Sequence, residues 1–154
     1  MRFVFFAFFS FFLATHAYCK EPSTSIEDKN LRVVPTDVDS AVVNDKSFAT
    51  FKQLNCKTRD VEVVLSISDL NKTWFVTTAD GCGWGAALAP IWIIAQTNSQ
   101  RISLLLSTGG YALIPSNIFH NGMADIVISA GTSGESESKA YIFDGKLYVP
   151  KSRK

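Results

Sequence analysis

The chain has 154 residues, with 15 Lys and Arg against 14 Asp and Glu, so its net charge is close to zero. That length suits one domain with a real core, and the balance leaves no basic field to gather nucleic acid or anionic lipid. Three cysteines and two histidines leave little scope for histidine- or cysteine-rich metal sites.

The first segment, "MRFVFFAFFSFFLATHAYC", has a basic residue at Arg2 and an apolar run from Val4 to Leu13 broken by Ser10. The run falls well short of the roughly 20 residues a membrane-spanning helix needs. Residues 1–19 therefore read as a signal peptide, with cleavage after Ala17 or after Cys19. Bulky Tyr18 before Cys19 argues against a lipid-modified cysteine. A periplasmic or secreted protein follows, with no integral membrane association after cleavage. Cleavage after Cys19 leaves Cys56 and Cys82, and an exported chain with two cysteines pairs them. Cleavage after Ala17 would leave Cys19 as a spare thiol.

Residues 20–30, "KEPSTSIEDKN", are polar and aperiodic and read as a flexible lead-in to a single β-rich domain over 31–154. "LRVVPTDVDSAVV" is ambiguous, because Pro35 opposes a continuous helix. "NDKSFATFKQLNC" predicts one short helix, with Phe48, Phe51 and Leu54 in a stripe and Asn44 or Asp45 as N-cap. From Val61 onward strands are expected at 61–67, 73–78, 91–96, 101–107, 111–115, 124–130, 140–144 and 146–150. Turns separate them at Asp69-Leu70-Asn71, Thr97-Asn98-Ser99, Gly109-Gly110, Asn121-Gly122 and Asp144-Gly145. "WIIA" and "SLLLS" are apolar at both alternating positions, which fits strands covered on both faces. "WFVTTADG" at 74–81 resembles "DIVISAGT" at 125–132, and each is followed by an aromatic strand, a turn and another strand. The fold expected is mainly β: an antiparallel sandwich, open barrel or partial propeller of two β-meander units, with one short N-terminal helix.

Catalytic sets are scarce. Beyond the leader the only histidine is His120, so a Ser-His-Asp arrangement must use it with Ser116, Ser129 or Ser133. No G-x-S-x-G elbow supports that, and His120 adjoins an Asn-Gly turn where a surface role suffices. A Cys-His pair would need Cys56 or Cys82 as a free thiol. Asp80, Asp125 and Asp144 lie near strand ends, where turn chemistry already accounts for them, and Glu135 and Glu137 lie in a loop poorly suited to catalysis. Asp69, Asn71 and Thr73 begin a calcium-loop spacing without completing it. Asn71-Lys72-Thr73 matches a glycosylation triplet, a pattern common by chance. No cofactor or metal is implied, and the chain reads as non-enzymatic.

Taken together, "TWFVTTADGCGWGAALAPIWIIAQ", "SLLLSTGGYAL", "NGMADIVISAG" and "YIFDGKLYV" resemble small exported bacterial β-proteins with degenerate FG-GAP-like repeats that have lost their calcium loop. The resemblance spans residues 73–149. It implies a repeat-built β fold and, by analogy with inhibitor and immunity proteins of the periplasm, a protein target such as a cell-wall hydrolase.

The loop "DGCGWGAALAP" carries the candidate recognition residues. Gly83 and Gly85 flank Trp84, which is expected either to plug the core or to stand at a binding surface, with Tyr111 and His120 as further binding candidates. Three functions remain: a protein-binding inhibitor or immunity-type protein; a carbohydrate- or envelope-binding module stacking sugar on Trp84, Tyr111 and Trp74 or Trp92; and a small hydrolase using Asp80, Asp125 or His120.

Overall fold

A computed structural model of the chain describes residues 23–67, 72–85, 88–97, 99–131 and 138–152. The segment expected as a leader, the expected Asp69–Asn71 turn, Ser133, Glu135 and Glu137 lie outside these residues.

In chain order the elements are β1 (Thr24–Ser25), β2 (Arg32–Val33), α1 (Thr36–Val43), a 3-10 turn (Lys46–Phe48), α2 (Ala49–Gln53), β3 (Thr58–Val63) and β4 (Lys72–Thr78). There follow β5 (Ala89–Gln96), β6 (Ile102–Gly110), β7 (Ala112–His120), β8 (Met123–Ser129), β9 (Lys139–Phe143) and β10 (Tyr148–Pro150). They form two antiparallel five-stranded sheets, ordered β2-β3-β4-β5-β6 and β1-β7-β8-β9-β10. The expected sandwich of two meanders is what forms, one meander in each sheet. The chain changes sheet twice, between β1 and β2 and again at Gly110-Tyr111-Ala112. On the far side Ala124 donates its N–H to Leu65 O at 2.7 Å and Ile67 donates to Gly122 O at 3.1 Å, which stitches the sheets together.

The first sheet is covered on both faces. Phe75, Ile91, Ile93 and Leu105 point inward against Leu113, Ile126 and Ile128 of the second sheet. Trp74, Val76, Trp92 and Ile94 point outward under Val38 and Val42 of α1 and Phe48. This is why β5 is apolar and buried from Ala89 to Ala95, and it makes the molecule three layers deep.

Several elements depart from the sequence expectation. The segment after Pro35 is a helix, α1, because proline stands just outside its first turn, where a missing N–H costs nothing. The expected helix at 44–56 is two short pieces. Asp45 caps the first, accepting the Ser47 N–H at 2.8 Å. The second ends on a left-handed Asn55, with Cys56 N–H on Phe51 O at 2.9 Å and Asn55 N–H on Lys52 O at 3.1 Å. Residues 24 and 25, assigned to a flexible lead-in, pair with Leu113 and Ala112. They are held there because Ile26 is buried in the core. Gly109 and Gly110, expected as a turn, instead close β6 opposite Pro90 and Ala89. Strand β7 runs on to His120 through a bulge between Pro115 and Phe119, well past the expected end at Pro115.

Candidate functional site

The cysteine-containing loop is fixed from several sides. Cys56 and Cys82 form a disulfide with Cα atoms 5.6 Å apart, tying the end of α2 to the loop after β4. Asp80, Gly81 and Gly83 all have positive φ, near 54°, 71° and 71°. At Gly83 this matters twice, since a Cβ there would also lie 2.7 Å from the Phe51 ring. Thr78 links the pieces: its hydroxyl donates to Cys82 O at 2.6 Å and accepts from Trp84 Nε1 at 2.8 Å.

Trp84 is therefore half-buried, packed on the inter-sheet core with its one polar atom satisfied. The apolar surface lies around it instead. Leu54 and Leu88 are 56% and 44% exposed. Leu88 lines a groove of about 310 Å³ with Phe51, Gly83, Pro90, Trp92 and Thr108. Leu54 flanks it, its Cδ1 3.7 Å from where a Gly83 Cβ would stand.

Tyr111, at the sheet-changing corner, shares this end of the sandwich, but its hydroxyl donates to Glu27 Oε2 at 2.8 Å and its ring packs on the core. That contact and burial hold the phenol's pKa above its ordinary value. Gly85 is exposed, and its N–H donates to Leu88 O at 2.8 Å, which closes the loop. Trp74 and Trp92, at 7% and 1% exposure, are core residues unavailable for stacking on sugar. Trp92 Nε1 donates to Ser47 Oγ at 2.8 Å.

His120 lies at the other end of β7, one strand length away. Its Nδ1 stands 2.5 Å from Asp125 Oδ1, while Lys151 Nζ donates to Asp125 Oδ2 at 3.3 Å. Asp125 is only 5% exposed, so the imidazole and the ammonium group cover a carboxylate on the outer face of the second sheet. Of the three hydrolase candidates, His120 and Asp125 meet. Asp80 pairs with Arg59 at 3.0 Å at the opposite end. A base held by a carboxylate is half of a hydrolytic triad, but neither Ser116 nor Ser129 is hydrogen-bonded to it. The Ser116 hydroxyl accepts from the Ile118 N–H at 3.1 Å, and Ser129 lies at the far end of β8.

No family model matches this chain, and neither a known protein nor a solved structure matches it. Leu54, which sequence reasoning placed in the helical stripe, stands six residues beyond Phe48. At 3.6 residues per turn that is a third of a turn off the buried line, a displacement visible in the spacing itself. Leu88 carries no such signal, since a leucine in a small-residue loop is equally suited to burial.

Proposed function

We propose that this chain is an exported, non-enzymatic binding protein that docks on a protein target through the disulfide-tied end of the sandwich. The observation that carries the reading is the Leu54–Gly83–Leu88 surface: exposed apolar side chains on backbone held by the Cys56–Cys82 bridge and the Trp84–Thr78–Cys82 hydrogen bonds. Apolar anchors on rigid backbone lose little conformational freedom on binding, which is what a tight protein contact requires. The bridge itself supports an oxidising compartment. Among the described residues no helix is long and apolar enough to cross a membrane.

The resemblance to small exported bacterial β-proteins directs the search for a target toward cell-wall hydrolases, with the chain as an inhibitor or immunity-type partner. The test captures targets from an envelope extract on oxidised wild-type protein. It then measures affinity for the purified target against Leu54→Glu/Leu88→Glu. Trp84 is left intact, because its removal would unseat the loop. A one-to-one complex weakened at least about tenfold, with an unchanged thermal midpoint, is the expected result. Equal binding by both proteins, or retention on cell-wall polysaccharide alone, would overturn it. The latter would favour the envelope-binding alternative.

The His120–Asp125 contact favours a second reading, a small hydrolase. It predicts hydrolytic activity that disappears in His120→Ala while the fold is kept.

A further inference from the structure

A cleft of about 600 Å³ lies at the end away from the disulfide, between the two sheets. Its apolar wall is the core itself: Ala95, Leu105 and Met123 are buried core residues, and Phe143 packs against them. Such a floor is built before any ligand arrives. The volume falls within the range of small-molecule sites, which are mostly apolar with a few placed polar groups.

Among the described residues that line the cleft, the charged side chains are both cationic. Arg101, where the β5–β6 connection ends, and Lys146, in the β9–β10 turn, both line the cleft, one from each sheet. Neither forms an ion pair with a described residue. Asp144, two residues before Lys146, turns its Oδ1 onto the N–H groups of Lys146 and Leu147, both at 2.8 Å. Among the described residues no acidic side chain lines the cleft.

An apolar floor with two cations at its entrance selects a molecule that is apolar at one end and anionic at the other. We infer that this cleft binds a small monoanionic amphiphile, a carboxylate carried on an alkyl chain. The chain lies over Leu105 and Met123. The head meets Arg101, whose planar fork suits a carboxylate, with Lys146 as the second charge. This site is separate from the docking surface proposed above, so the two stand or fall independently.

The test uses the oxidised protein and three ten-carbon probes below their micelle concentrations: decanoate, decanol and decyltrimethylammonium. Calorimetry gives stoichiometry and affinity, and amide and methyl chemical shifts locate the ligand. Decanoate is expected to bind one-to-one and about tenfold tighter than either control. The shifts should centre on Ala95, Leu105, Met123 and Phe143. Arg101→Ala/Lys146→Ala, two exposed positions whose loss leaves the fold intact, should lower decanoate affinity about tenfold and leave decanol unchanged. The inference is overturned by any of four results: no saturable binding, equal affinity for decanoate and decanol, shifts scattered over the surface, or an unaltered affinity in the double variant.

Discussion

At the scale of single residues, the corner between the sheets depends on having no side chain at one position. A Cβ on Gly110 would stand 2.3 Å from Ile128 Cγ2 and 3.1 Å from both Ile91 Cδ1 and Ser129 O. Those atoms belong to the core and to a paired strand, so they cannot simply swing away. One residue earlier, a Cβ on Gly109 would meet nothing closer than Ala89 O at 3.9 Å. Gly110→Ala should therefore destabilise the protein by about 2–3 kcal/mol through overpacking. Gly109→Ala should be close to neutral. Urea denaturation of the two variants side by side checks this, and equal midpoints would show that the corner relaxes more easily than its contacts imply.

Among elements, the informative case is the pairing of short helix and loop through Cys56 and Cys82. The cysteines are 26 residues apart, and the bridge restrains the unfolded chain over that span by about 3 kcal/mol in the loop-closure account. Replacing both by serine should cost that order of stability in a denaturation experiment. The loss should concentrate at one end: amides around Gly83 and Asn55 should exchange faster, while those of β7 and β8 keep their relative protection. Parity and compartment made this bridge legible in the sequence, and so were the strands, whose branched and aromatic runs dominate 58–150. Less was legible where tertiary packing overrides local pattern. Pro35 looks like a breaker and serves as a helix entry, because Val38 and Val42 find a sheet face to cover. Residues 24–26 look like a tail, yet one buried isoleucine and two strand pairs hold them in place. The candidate site was half legible: glycines and a cysteine marked the loop, but which of its apolar residues face water depends on contacts with α2 and β5 that spacing does not encode.

For the molecule as a whole, a few groups with opposed shifts shape stability against pH. Asp60, in β3 beneath Arg32, is 5% exposed, and burial raises its pKa from 3.8 to about 6, with Arg32 opposing the rise. The folded protein thus holds a proton there that the unfolded chain releases near pH 4. Stability from this group is fully present below about pH 4 and is lost as pH rises toward 6. Asp45 and Asp144 work the other way. The Ser47 side chain and N–H lower the first, and the Leu147 and Lys146 N–H groups lower the second. Their contribution is present above about pH 4 and lost as pH falls through their depressed values. Tyr148, raised by burial and by the nearby Asp125 charge, and Tyr111, raised chiefly by its bond to Glu27, are favoured in protonated form. That preference is lost as pH climbs beyond about 10. The stability maximum should accordingly fall near pH 4–5, below the neutral range, with a decline toward pH 7 on the order of 1 kcal/mol after allowing for solvent near Asp60. In Asp60→Asn that decline should vanish, leaving a plateau from about pH 5 to 9. Thermal unfolding of both proteins across pH 3–10 measures it, and a wild-type midpoint that climbs steadily from pH 4 to 7 would show Asp60 to be ionised and paired with Arg32 in the folded state.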